Sequence, residues 1–277
     1  MWADFQMNKD NCKIGIFVMS CDRTSDVAKH FISAFYKYWP DCPFPIYFGI
    51  NEIKAHLQRP GIFHLSVPSS GWKEESLLQL QLIRQAEPGI THLLVFLDDF
   101  IFNRKVDTNS LIAIAEDITK KQPDYLRLKR LEESWLGLLR QYVLPGTRFG
   151  TESCFEIRKS HPYYSSLQVA FWKIDHLEDF INRAGNIWTF EHLQNVSKPH
   201  FSVRNTFFHY RHVVEKGAWE TGAARYCRKH VGWFEPGNRK MNSSSVAATC
   251  RFYGRKLIFF LLGYSVLEFR KWIKKQS

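Results

Sequence analysis

Along the first half of the chain, short apolar runs alternate with amphipathic stretches, and this alternation constrains the fold more than any other feature. "IGIFVM" (Ile14 to Met19) reads as a buried strand that ends in a polar turn, Ser20 to Thr24. "SDVAKHFISAFYKYW" has helical spacing of its apolar residues, with Ser25 as N-cap and Pro40 just past its end. "FPIYFGI" and "GIFHLSV" read as strands, the first ending at Asn51. "WKEESLLQLQLIRQA" is an amphipathic helix stopped by Pro88 and Gly89. "HLLVFLDDFIF" is a further strand, followed by a helix in "SLIAIAEDITKKQ" and a strand in "DYLRLKR". Strands that alternate with helices pack as a mostly parallel sheet covered on both faces.

Ligands of such sheets sit at the carboxyl ends of the strands. Asp22, Asn51, Asp98 and Asp99 all fall at such ends. The adjacent pair Asp98–Asp99 is the sharpest of these signals, because ionised carboxylates resist burial in an apolar run unless something compensates them. Magnesium and manganese favour carboxylate oxygens and bridge to substrate phosphates. An aspartate capping a turn beside a salt-bridged neighbour would account for the same pair.

Beyond Arg130 the pattern loosens, and residues 131–165 read as loop-rich. "SLQVAFWKIDHLEDFINRAG" resumes as a short strand leading into a helix that ends at Gly185. "NIWTFEHLQ" starts another helix, and "AWETGAARYCRKHVG" is a short one closed by Gly232. "EPGNRKMNSSS" is linker-like in its Pro, Gly, Asn and Ser content.

Composition narrows the class. Of 277 residues 45% are apolar and 16% aromatic, enough for a substantial core. The six cysteines form no C-x-x-C spacing, which argues against a zinc site or a disulfide scaffold and favours a reducing compartment. Without an apolar h-region near the N-terminus, a cytoplasmic location is expected. The net charge of +11 predicts attraction to something anionic: nucleic acid, an acidic membrane or a phosphorylated small molecule. No recognisable nucleic-acid motif is present, and the eleven histidines show no H-x-x-x-H helix.

"FLDDF" after an apolar strand resembles the Asp-x-Asp-type motif of nucleotide-sugar glycosyltransferases of the GT-A fold. "GWKEESLLQLQLI" resembles the helix preceding that strand in these enzymes. "YYSSLQVAFWKIDHLEDFI" followed by "GNIWTFE" is similar to bacterial surface-polysaccharide and lipopolysaccharide glycosyltransferases, with their Trp-x-x-Glu element. The resemblance runs from about Lys13 to Gly232; it departs at Leu97, where the triplet has its first acidic residue. It implies an α/β, GT-A-like catalytic domain over residues 1–235, with a nucleotide-sugar half to about 130 and an acceptor half over 131–235.

By the same resemblance Asp99 would contact a divalent cation, Mn2+ or Mg2+, with Asp98 beside it on the donor. Asp22, Arg23 and Asn51 would hold the nucleotide, and Arg211, with His209 and Tyr210 near it, would face the diphosphate. Inverting transfer needs a general base for the acceptor hydroxyl. Glu191, beside the sugar-stacking candidate Trp188, is the first choice and Asp175 the second. The implied partners are a nucleotide-sugar donor and a glycan or lipid-linked acceptor.

Residues 236–277 form a linker and a basic tail. In "RFYGRKLIFFLLGYSVLEFRKWIKKQS" the apolar stretch Leu257 to Leu267 is shorter than the ~20 residues a spanning helix needs. Basic residues flank it on both sides, as in helices that lie on anionic membranes. The tail is therefore expected to hold the protein on the inner face of the cytoplasmic membrane; packing on the domain, or on a second copy in a homo-oligomer, is the alternative. Two other classes compete with glycosyl transfer: a non-catalytic nucleic-acid or anionic-lipid binder, and a nucleotidyltransferase, which also uses carboxylates, a metal and phosphates.

Overall fold

A computed structural model describes residues 14–131, 146–161, 163–191, 193 and 199–242, together with 137, 139, 141, 143 and 257. The basic tail lies almost wholly outside the described residues, and among them no helix is long and apolar enough to cross a membrane.

The first strands and helices fall where the apolar periodicity puts them: β1 (Ile14–Met19), α1 (Ser25–Tyr38), β2 (Ile46–Ile50), β3 (Ile62–Ser66), α2 (Trp72–Ala86) and β4 (His92–Leu97). β5 (Phe100–Phe102), α3 (Thr108–Lys121) and β6 (Tyr125–Arg127) complete this half. After it come β7 (Thr147–Phe149), β8 (Glu152–Glu156), β9 (Ala170–Lys173), α4 (Ile174–Arg183) and the single turn α5 (Ile187–Phe190). β10 (His200–Val203), β11 (Tyr210–His212), the hairpin β12 (Val214–Glu215) and β13 (Ala218–Trp219), and α6 (Ala223–His230) follow.

Nine strands form one sheet in the order β3-β2-β1-β4-β9-β6-β10-β8-β7. β1 to β4 are mutually parallel, and only β8 and β9 run against the other seven strands. This is the α/β, mostly parallel arrangement flanked by helices that the sequence leads one to expect. β9 enters between β4 and β6, so strands from the two halves of the chain interleave in one sheet.

Successive side chains of a strand point to opposite faces, and the two sides of the core follow that rule. Ile16, Val18, Leu94 and Phe96 pack under α1 and α3 with Phe31, Phe35 and Ile114. Phe17, Leu93 and Val95 pack under α2 and α4 with Leu80, Ile83, Leu177 and Phe180. Burial on both faces is why these strands read as continuous apolar runs.

Three expectations change. "HLLVFLDDFIF" is not one strand: β4 ends at Leu97, Asp98 and Asp99 form a turn, and β5 leaves the sheet to pair with β11. The span 131–165, read as loop-rich, contains β7 and β8 at the sheet's edge. These strands have three and five residues and bury little of their surface, too short a run for a period of two to register. The segment that reads as a linker lies against the domain as far as residue 242: Trp219 and Lys240, and Asn242 and Trp219, exchange backbone hydrogen bonds.

Three histidines are fully buried and satisfied as neutral rings. His30 bonds Asp26 O and Glu235 N, His92 bonds Pro123 O and Thr91 Oγ1, and His200 bonds His176 Nε2. Burial pushes their pKa values down to about 4, about 4 and about 3, respectively. In the unfolded chain each takes a proton near pH 6.5. Stability should therefore be complete above about pH 7 and fall as pH drops from 6.5 towards 4, by about 1–2 kcal/mol per histidine at pH 5. Urea midpoints measured from pH 8 to pH 5 check this, and His92→Gln should flatten the profile.

Candidate active site

The parallel register of β1 with β4 sets Met19 opposite Leu97. The two chain segments that leave these ends, Ser20–Thr24 and Asp98–Asp99, are therefore neighbours. β1 also separates β2 from β4, so this is the point where successive connections run to opposite sides of the sheet, the usual ligand position of such folds. A cavity of about 550 Å³ opens there.

Asp98 forms part of its floor and is almost completely buried, accepting a hydrogen bond from Ser20 Oγ at Oδ2. Burial pushes its carboxyl up to about 7, against the lowering effect of the Ser20 and Thr24 hydroxyls, and Asp99 adds to the rise. Asp99 points differently: its Oδ2 lies 3.4 Å from His212 Nδ1, and its buried Oδ1 has no hydrogen-bond partner among the described residues. Two adjacent carboxylates thus have separate surroundings, one bound to hydroxyls and one with a buried oxygen left unpartnered there.

α2 supplies one wall. Trp72, Glu75, Ser76 and Gln79, at spacings of i, i+3, i+4 and i+7, all line the cavity. Glu75 Oε1 accepts from Ser69 Oγ and from the Ser70 and Gly71 backbone N–H groups, which holds the loop before the helix. Gln79 lies across β2 at Gly49, where an added Cβ would come within 2.5 Å of its Oε1; only glycine leaves that space. Trp72 Nε1 and Gln79 Nε2 are buried donors without partners.

Beside it, α5 supplies further lining. Asn186 Oδ1 caps this turn by accepting from the Trp188 and Thr189 N–H groups, and Phe190 is buried against Trp72 and Trp172. That anchor leaves Trp188 at the cavity's edge, 64% exposed, and sets Glu191 on the lining with Oε1 accepting from Ser166 Oγ at 3.1 Å.

The β12–β13 hairpin covers the mouth, turning through Lys216 and Gly217 at φ 51° and 79°. Arg239 pins it down. Its guanidinium donates to both oxygens of Asp26 at 2.9 and 2.8 Å, to Arg23 O and to Gly217 O.

The expected site residues separate into two groups. Asp98, Asp99, Arg23 and Glu191 line the cavity. Asp22, Asn51, Asp175 and Arg211 do not. Asp22 Oδ1 accepts from the Asn51 and Glu52 N–H groups and its other oxygen faces Lys54, while Asn51 Oδ1 accepts from Asp22 N. Burial opposes ionisation of Asp22, but the Glu52 and Asn51 N–H groups, with Lys54, hold its carboxyl below the usual range. This pair ties the loop after β1 to the end of β2. Asp175 is an exposed first-turn residue of α4 in a salt bridge with Arg84, and Arg211 bonds Glu220 and Thr221 O.

His212, Gln168 and the α2 wall are lining residues that sequence reasoning passed over. The Trp-Glu-Ser-Gln spacing on α2 was present as a signal. His212 had none: it reaches Asp99 only because β11 pairs with β5, setting His212 opposite Phe100.

Six lining residues are carboxylates (Glu75, Asp98, Asp99, Glu191, Glu215, Glu220), against the two cations Arg23 and Lys216. Among the described residues no three His, Cys, Asp or Glu side chains converge as a complete metal site. Asp99 Oδ1 is a hard, unpartnered oxygen of the type Mg2+ or Mn2+ takes when phosphate and water complete the shell.

The fold and site thus define an α/β protein with a ligand crevice at the carboxyl edge of its sheet. No family model and no curated protein matches the chain. Solved structures similar to it include S. aureus TarS 1–349, with 14% identity and a TM-score of 0.43 over 72% of this chain and 59% of that one. A second structure of S. aureus TarS is 15% identical, with a TM-score of 0.39 over 68% of this chain and 36% of that one. A cytidylyltransferase from Leptospira borgpetersenii serovar Hardjo-bovis is 8% identical, with a TM-score of 0.37 over 65% of this chain and 68% of that one. The chain thus spans 59% and 36% of the two TarS structures, less than two thirds of either.

Arg239→Ala should remove the fastening of the hairpin and cost about 2–4 kcal/mol, because it leaves Asp26 without its partner. Hydrogen exchange should quicken at residues 214–219 before it quickens in β1 or β4.

Proposed function

We propose that the chain is a glycosyltransferase that moves a sugar from a nucleotide-sugar donor to a glycan or lipid-linked glycan acceptor, in surface-polysaccharide synthesis. The observation that carries the reading is that the Asp98–Asp99 turn and the Trp188–Glu191 turn line one and the same cavity. The first offers a place for a diphosphate with its cation, the second a sugar platform with a base.

In this reading the acceptor hydroxyl lies between Trp188 and Glu191, whose carboxylate takes the proton as the oxygen attacks the anomeric carbon. Ser166 holds that carboxylate in place. The bond from the anomeric carbon to the diphosphate breaks on the far side, giving inversion. Charge growing on the departing oxygen needs positive groups, and Arg23 and Lys216 at the mouth are the two side chains in reach. A divalent cation on Asp99, when bound, would supply the rest of that neutralisation as a Lewis acid. The excess of lining carboxylates supports a cation requirement, since a diphosphate alone would meet net negative charge. The same excess disfavours binding of nucleic acid in this cavity.

The test is a thermal-shift screen of nucleoside diphosphates and nucleotide sugars with and without Mn2+. A base-selective, Mn2+-dependent rise is expected, and Asp99→Asn should abolish it. Glu191→Gln should keep that rise yet lower turnover about 100-fold or more, the usual weight of a general base. Absence of any nucleotide-dependent shift would overturn the proposal.

We also propose that residues 251–277 dock the enzyme on an anionic membrane from the cytoplasmic side, on the strength of their basic and aromatic flanks. The full chain should sediment with phosphatidylglycerol vesicles and a chain ending at residue 250 should not; equal sedimentation would make the tail a packing element.

A further inference from the structure

His212 presents Nδ1 to Asp99 Oδ2 at 3.4 Å and Nε2 to the Gln168 amide, 3.0 Å from its Nε2 and, more distantly, 3.5 Å from its Oε1. Two facing nitrogens at 3.0 Å must be one donor and one acceptor, and the far end of Gln168 decides which. Gln168 Oε1 receives the Tyr210 hydroxyl at 2.5 Å and the Lys129 ammonium at 3.2 Å. A lysine ammonium has only protons to offer, so the atom it meets is the amide oxygen. The Tyr210 hydroxyl accepts the Val169 N–H at 3.3 Å, which sends its own proton to the same oxygen. The amide NH2 of Gln168 therefore faces the ring and donates, and His212 Nε2 accepts.

A neutral imidazole has one ring proton, so here it sits on Nδ1, towards Asp99. We propose that Gln168 is a positioning residue that locks His212 as the Nδ1–H tautomer, making His212 a proton donor to Asp99 rather than a metal ligand. The ring itself is held by an edge-on contact with Phe100, centroids 4.4 Å apart. At 3.4 Å the Nδ1–Oδ2 approach is longer than a full hydrogen bond, so the ring proton faces Oδ2 as an electrostatic contact. For Nδ1 to bind a metal, the ring proton would have to move to Nε2, against the Gln168 NH2. Turning the amide over would then set NH2 against the Lys129 ammonium. Both arrangements place donor against donor.

The inference rests on the donor-site reading only for the purpose of Asp99; the direction of the hydrogen bonds does not depend on what the enzyme transfers. Long-range 1H–15N correlation spectra of the full chain with 15N-histidine distinguish the two tautomers. The His212 signals are those absent from His212→Gln. The wild type should show the Nδ1–H pattern. Gln168→Glu, whose carboxylate can only accept, should turn the ring to Nε2–H and free Nδ1 beside Asp99. Zn2+ affinity by equilibrium dialysis should then rise about tenfold or more, as a second ligand joins the carboxylate. If Gln168→Glu does not fold, Gln168→Met removes the donor, and the ring should revert to the Nε2–H form that free imidazole side chains prefer. A wild-type Nε2–H pattern, or a tautomer indifferent to Gln168, would overturn the inference. Because neither readout needs a nucleotide, its failure is distinguishable from failure of the glycosyltransferase reading.

Discussion

The pairing of β1 with β4 is the interaction on which the site depends. Six register positions, from Ile14 opposite His92 to Met19 opposite Leu97, align the carboxyl ends of two predominantly apolar strands. The first polar residues past those ends, Ser20 and Asp98, then meet through a hydrogen bond at the cavity floor. A slip of one residue would turn every side chain of β1 to the other face of the sheet, and both sides of the core forbid it. The precision of the carboxylate turn is therefore inherited from hydrophobic packing well beneath it.

Asp98 and Asp99 show how neighbouring residues of one type acquire different chemistry. The strand delivers both to the same edge, but Asp98 turns into the Ser20–Thr24 loop, where burial favours its protonated form near neutral pH. Asp99 turns outward and faces an imidazole whose tautomer is governed by Gln168, Tyr210 and Lys129. Charge has a similar split at larger scale. The chain carries a net +11, yet the cavity lining is rich in carboxylates. The sign of the bulk charge therefore does not carry over to the described lining of the cavity.

The strand and helix runs of the first half were legible because burial on both faces of a sheet leaves unbroken apolar runs, and α2 coincides with its expected span, Trp72–Ala86. The edge strands were not, since half-buried segments of three to five residues carry too few positions for a period. The Asp98–Asp99 turn and Glu191 stood out as carboxylates beside apolar or aromatic residues. Asp22 and Asn51 stood out equally, yet they bond to each other and fasten two loops together. An acidic residue at a strand's end has the same sequence signature whether it faces a ligand or a backbone N–H.

By itself the sequence determined the α/β class, the edge of the sheet where the cavity opens, and the aspartate pair that lines it. These follow from local periodicity and from the cost of burying charge, both written in neighbouring residues. Only the tertiary structure decided which carboxylates face the cavity, that Arg239 fastens its hairpin, and that His212 and Gln168 stand behind Asp99. Those relations join residues tens or hundreds of positions apart. The physical reason is that a hydrogen bond has a direction and a length, and neither exists until the fold has brought donor and acceptor together.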